Sequence, residues 1–170
     1  MCIKNIKNNT NGVTLIALSI TIVVMIILAG IGIYGSTDII KKAKLEEMET
    51  NMLLLEAKAR EYVESATFKM GINPDEQKKQ NVRNAVYVEE AKLRKATDAD
   101  IPSSFGIADT TTCYWLTTDA QTSWGLSKMQ LEKDEKFLIQ FDETNITVEI
   151  YNTKGYNGNY SLTAIDAMKE

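Results

Sequence analysis

Few residues in this chain are equipped for chemistry. Its 170 residues include no histidine, which removes Ser-His and Cys-His catalysis and most zinc sites. Of its two cysteines, Cys2 and Cys113, the second lies in an aromatic, strand-like stretch, Cys113-Tyr114-Trp115. It reads as a small buried apolar residue, with a reactive or pairing thiol as the alternative. Asp98, Asp100 and Asp109 lack the loop spacing of an EF-hand, so neither a metal nor a cofactor is expected. No nucleophile–base pair, paired carboxylates or Gly-rich phosphate loop stands out. No enzyme and no small-molecule substrate is therefore expected. What remains is a peptide bond. Gly12 ends a polar leader, residues 1–12, that carries Lys4 and Lys7, and it opens directly onto an apolar run. This order suggests a precursor cut at Gly12 and assembled through its apolar helix.

The element that would position that bond is the apolar run. Residues 8–37 form an uncharged stretch of 30 residues. Within residues 13–34, 13 of the 22 are Leu, Ile or Val. At about −0.3 to −0.6 kcal/mol each near a helix centre, they sum to roughly −4 to −8 kcal/mol in favour of the bilayer. Many are β-branched and form helices poorly in water. In lipid the need to pair every backbone group overrides that preference. A helix of about 33 Å follows at 1.5 Å per residue, matching the hydrocarbon core. A secretory signal peptide would have a shorter apolar core of about 7–15 residues and a better cleavage site than Ala29-Gly30-Ile31-Gly32. Charge does not orient the span, because Lys4 and Lys7 are balanced by Lys41, Lys42 and Lys44 beyond its far end.

The sequence Gly-Val-Thr-Leu-Ile-Ala-Leu-Ser-Ile-Thr-Ile-Val-Val-Met-Ile-Ile-Leu-Ala-Gly-Ile, residues 12–31, resembles the prepilin-type N-terminus of type IV pilins and pseudopilins. The version seen in Gram-positive bacteria is the most similar. The resemblance implies cleavage between Gly12 and Val13 by a prepilin peptidase and N-methylation of Val13. It implies an assembly helix beginning with Leu15, Ile16, Ala17 and Leu18. It also implies a cytoplasmic leader and an outward-facing remainder. Ala17 stands where the commonest family pattern has a glutamate that pairs with a neighbour's free N-terminus, so either that amine is neutralised in another way or this subunit sits where no such pairing is required. The family's helix-kinking proline is absent too, since Pro74 and Pro102 both lie in the head.

Beyond the span, residues 35–70 read as an amphipathic continuation of the same helix. Leu45, Met48, Met52, Leu55, Ala59, Tyr62 and Ala66 recur at spacings of three and four and form one apolar stripe. Glu56 and Arg60 are placed for an i,i+4 pair on another face, and Lys69 followed by Gly71 makes a stop. The stripe is expected to pack on the chain's own sheet, or on a helix of another protein. Gly30, Gly32 and Gly35 either let the helix bend or melt within a filament, at about 1 kcal/mol each relative to alanine, or let neighbouring helices approach.

Residues 71–170 read as an α+β head, about 100 residues and enough for a small core. Residues 71–79 read as loop and 82–95 as a short helix with Val82, Ala85, Val86, Val88 and Leu93. Residues 97–111 are polar and turn-rich. Residues 112–118 read as a strand, and 119–129 as a short helix or turn carrying Trp124 and Leu126. Residues 136–141 set Phe137, Ile139 and Phe141 on one strand face, and 146–150 do the same with Ile146, Val148 and Ile150. Asp142-Glu143-Thr144-Asn145 joins them as a hairpin, and Asn157-Gly158 marks a second. The expected fold is α+β and pilin-like: a long N-terminal helix, half transmembrane and half amphipathic, on an antiparallel sheet of three or four strands.

Net charge is −4 with no basic patch, which argues against nucleic acid as a partner. Residues 101–170 hold ten acids and five bases, a composition suited to an exposed soluble surface. The expected function is a structural subunit of a type IV pilus-like filament. Its partners are the membrane, a prepilin peptidase and other pilin subunits, and its location is the cell membrane in a single pass, then a surface filament. The alternative is a single-pass, membrane-anchored extracellular binding module, which has no use for cleavage at Gly12.

Overall fold

The computed structural model describes the backbone of residues 11–168 and the side chains of residues 17–27 and 39–168. Helix α1 spans Asn11–Met70, 60 residues, and runs through Gly30, Gly32 and Gly35. The chain divides into two parts, the first ending at Lys44 and the second covering Leu45–Glu170. Among the described residues, the first part consists of the N-terminal length of α1. The leader, residues 1–10, lies outside the described residues.

The second part is built on the stripe. Met48, Met52, Leu55, Ala59, Val63, Ala66 and Met70 are buried, and Leu45 and Tyr62 pack at their margin. The alanines let the helix backbone approach its neighbours, while the methionines fill the irregular ends. Arg60–Glu56 and Lys58–Glu61 pair on the solvent side, at 2.7 and 3.0 Å. Gly71 stops the helix in the left-handed region, φ 69°, and its N–H still reaches the carbonyl of Thr67.

Helix α2 spans Glu76–Arg83 and has no buried residue; Asp75 caps it, accepting from the Lys78 N–H. A π-helical segment, Asn84–Glu90, follows without a break and buries Val86 and Tyr87. Val82 and Val88 pack partly buried beside them. Two expectations are corrected here. Residues 76–79 are helix rather than loop, because Asp75 is an N-cap. The helix also stops short of residue 95, because Lys92 takes a positive φ of 61° and turns the chain into strand β1, Arg94–Lys95.

Two short 3₁₀ turns, Asp98–Asp100 and Ser103–Phe105, lead to β2 at Cys113–Trp115. Helix α3 is Thr118–Ser123. Strands β3, Phe137–Asp142, and β4, Thr147–Tyr156, form the long hairpin. Strand β5, Asn159–Ser161, and helix α4, Leu162–Asp166, finish the fold. The sheet has five strands in the order β1-β2-β3-β4-β5, every neighbouring pair antiparallel. It exceeds the expected three or four because edge strand β1, at 2 residues, is too short to leave a sequence signal. Short edges leave little backbone to template unwanted pairing.

Alternation along the strands fills two cores. Tyr114, Phe137, Ile139, Phe141, Val148 and Ile150 join the α1 stripe. Cys113, Trp115 and Leu138 face the other way and are covered by Ala96 and Phe105, with Ile101, Ile107, Tyr151 and Tyr160 at the edge. The segment read only as polar and turn-rich is thus the lid of a second core. Ile146 is a further correction. It sits in the β3–β4 turn at φ 56° and is half exposed, not on the strand face with Val148.

The Asn157-Gly158 turn takes the two positive φ values, 49° and 80°, that a two-residue type I′ hairpin needs. Two residues earlier Gly155, at φ 59°, marks the irregularity of β4; a Cβ there would lie 2.5 Å from the Tyr160 ring and 2.6 Å from the Asn159 carbonyl oxygen. Buried Asn152 holds the bulge, its side-chain oxygen accepting from the Lys154 N–H at 2.7 Å and its amide donating to Glu135.

Candidate assembly segment

The residues expected to carry function fall in the first part of the chain. Gly12, Val13, Leu15 and Ile16 lie in the opening turns of α1, and their side chains lie outside the described residues. Ala17 and Leu18 are both exposed. From there Leu18, Ile20 and residues 22–27 are 46–71% exposed. Eight large apolar side chains in ten positions are thus about half exposed or more, on successive faces of the helix. A stripe like that of residues 45–70 buries one side; here every side is apolar and every side is bare. In water this arrangement carries a large hydrophobic penalty, about 25 cal/mol per Å² of apolar surface. The segment therefore calls for a medium or a partner that surrounds it.

Its few polar groups are consistent with that demand. Thr21 donates its hydroxyl to the Leu18 carbonyl at 2.8 Å, so it needs no water. Among the described residues no helix is long and apolar enough to cross a membrane. The described side chains of the apolar run stop at residue 27, and the rest of the expected 13–34 span lies outside them.

In the second part, the polar residues singled out from sequence have structural duties. Burial pushes the Asp100 carboxyl up, but hydrogen bonds from Arg94, the Thr97 N–H and Trp115 Nε1 outweigh it and hold the group down to about 2. Asp98 accepts from the Thr110 hydroxyl, and Asp109 caps Thr111. Among the described residues no group of three or more His, Cys, Asp or Glu is arranged to hold a metal. The Cys113 side chain is fully buried, and burial pushes its thiol up to about 11, so the nucleophilic thiolate is suppressed.

The Asp100 cap makes an acid-stability prediction. Its folded value lies below the ordinary ~3.9, so the folded state holds the ionised form more tightly. The stabilisation is complete above about pH 4 and disappears as pH falls to about 2. Replacing Asp100 by Asn is expected to flatten that part of the stability–pH curve, read as the difference from wild type in thermal melts across the range. Parallel curves would show that the carboxylate adds nothing.

Sequence reading missed one polar feature entirely. Arg83 grips Glu143 through Nε and Nη2, at 2.8 and 2.7 Å, and the Tyr87 hydroxyl donates to the same carboxylate at 3.2 Å. The Glu143 hydrogen bond, ahead of the opposing effect of burial, raises Arg83 further. Burial foremost, then Glu143, raises Tyr87. This clamp ties α2 and the π-helical segment to the β3–β4 turn. It spans 60 residues of sequence, and no local pattern announces it. A polar hollow of about 750 Å³ runs beside it, lined by Arg60, Asp109, Gln140, Glu149 and Tyr151 among others.

Compared with protein-family models, with curated proteins and with solved structures, the chain matches none of them.

Proposed function

We propose that this chain is a structural subunit of a type IV pilus-like filament, made as a precursor, cut between Gly12 and Val13, and assembled through α1. The observation that carries the proposal is the helical segment 18–27, aliphatic and exposed on every side. It continues a motif, residues 12–18, that resembles the prepilin processing site. A helix bare on one face fits a single partner. A helix bare all round fits first a bilayer and then a bundle of like helices.

On this reading the bilayer holds the apolar length of α1 before assembly. During assembly its lipid neighbours are exchanged for protein neighbours. The small residues Ala17 and Ser19 and the β-branched run Thr21-Ile22-Val23-Val24 suit close helix packing. The head, anchored on the striped length of α1, coats the outside. Arg83, Glu143 and the two cores make it a rigid coat, with no catalytic role.

Mass spectrometry of the chain from cells with an active prepilin peptidase tests the proposal. The expected N-terminus is Val13 carrying one added methyl group, with residues 1–12 gone. An intact leader in such cells overturns the filament reading and leaves an anchored extracellular module in its place.

A further inference from the structure

The head carries an apolar knob and a hollow of mixed lining, both facing solvent. The knob lies at the end of α1. Phe68 and Ile72 are 88% and 94% exposed, more than any other large apolar side chain described. Ile72 is held outward by the backbone, between Gly71 at φ 69° and Asn73 at φ 51°. Lys78 lies beside it, its ammonium 3.7 Å from where a Gly71 Cβ would be. The other feature is a hollow of about 340 Å³, floored by Leu53, Val148 and Leu162 and rimmed by Glu56, Glu149 and Asp166, with no lysine or arginine in its lining.

We propose that the head docks on a second copy of this chain, Phe68 and Ile72 of one copy entering the hollow over Leu53 of the next. The hollow has room for the two side chains. Glu56 is paired with Arg60, which leaves Glu149 and Asp166 as the rim's acidic side; Lys78 comes with the knob, so charge favours the same seating. A chain cannot fill its own hollow, because residues 53 and 68 lie about 22 Å apart along one straight helix. Knob and hollow are different surfaces, so the contact is heterologous, and each docked copy still offers a free knob or a free hollow. Such contacts propagate into open helical arrays when rotation does not close them. The choice of a second copy as occupant rests on the filament reading. Assembly through α1 brings identical heads together at high local concentration.

Cysteine cross-linking of the full-length chain in its own cells tests this. Cys2 is first replaced by Ser; Cys113 stays, being buried. With mild oxidant, the Leu53→Cys/Ile72→Cys double variant is expected to give a ladder of dimers, trimers and larger species. Each single variant should give none. Adding Phe68→Asp should weaken the ladder at least tenfold. Dimers from Ile72→Cys alone would mean a knob-to-knob contact and overturn the proposal. Filaments without a ladder overturn the contact while the filament reading stands. A ladder from chains that keep their leader supports the contact and removes the filament reading. Neither ladder nor filaments removes both.

Discussion

Glu143→Ala is expected to destabilise the head by about 3 kcal/mol, because it strands a guanidinium that has little access to water. Arg83 and Glu143 keep only 17% and 11% of their side-chain surface exposed. Their fork-to-fork geometry satisfies two carboxylate oxygens at once, and the Tyr87 hydroxyl adds a third bond. Tyr87 is itself fully buried, stacked on Phe141 with ring centroids 4.0 Å apart. Removing the carboxylate therefore leaves both a cation and a phenol hydroxyl short of an acceptor. The upper part of the usual 3–5 kcal/mol range is not expected, since the remaining exposure lets water reach Arg83. A loss of this size lowers the melting temperature by on the order of 10 °C in a domain of this length. Glu143→Gln keeps the shape and one acceptor oxygen, and should lose about half as much. The double variant Arg83→Met/Glu143→Leu removes both charges together and should be more stable than the sum of its singles predicts. Thermal melts of six full-length proteins in one detergent decide it: wild type, Glu143→Ala, Glu143→Gln, Arg83→Met, Glu143→Leu and the double variant. A loss under about 1 kcal/mol for Glu143→Ala would show that the pair behaves as an ordinary surface salt bridge.

That clamp also shows where sequence reading stops. The stripe from Leu45 to Ala66 was legible because helical periodicity repeats over many turns. The two hairpins were legible because turn chemistry is local: Asn157 and Gly158 tolerate positive φ, and Asp142 accepts from the Thr144 and Asn145 N–H groups. The start of α2 hides in a segment that reads as loop, because its signal is one capping side chain, Asp75. Other elements have no local signature at all. Strand β1 consists of Arg94 and Lys95, and only its pairing with Trp115 and Tyr114 makes it a strand. The second core draws Ile101, Phe105 and Ile107 from a segment with no periodicity, and it forms because Phe105 stacks on Tyr151, 46 residues away in sequence and 5.2 Å away in space. For the candidate site the balance reverses. The motif from Gly12 to Leu18 is a sequence feature, and the coordinates add to it the helix and the bare faces of residues 17–27. The knob and the hollow come from the coordinates alone, since exposure of Phe68 and Ile72 is a three-dimensional fact.

Placing one carboxylate in the middle of the proposed span should separate anchoring from assembly. Val24 lies at the centre of residues 13–34 and is half exposed on α1. Val24→Asp costs about 2.5–3.5 kcal/mol at a helix centre and forfeits the valine's own contribution, a change of roughly 3–4 kcal/mol. The whole span supplies roughly −4 to −8 kcal/mol on the same scale, so a single chain should remain in the membrane fraction. Aspartate is too short to reach the interface from mid-span, so its charge or its proton must be accommodated in the apolar interior. In a filament the same cost recurs at every subunit, among apolar helices instead of deformable lipid. Each 1.4 kcal/mol is a factor of ten in an association constant. About 3 kcal/mol per added subunit is thus a roughly 100-fold weaker addition step. The expected result is a chain still processed to Val13 and still membrane-bound, with sheared filaments reduced at least 100-fold. Val24→Leu keeps the apolar character and should leave both measurements at the wild-type level. Wild-type filament yield from Val24→Asp would mean that this helix is not the assembly core. Loss of the chain from the membrane fraction would show that the span's insertion energy is smaller than the cost of one carboxylate. The pattern that supports a filament subunit is the split between the two measurements: retention in the membrane with failure to assemble.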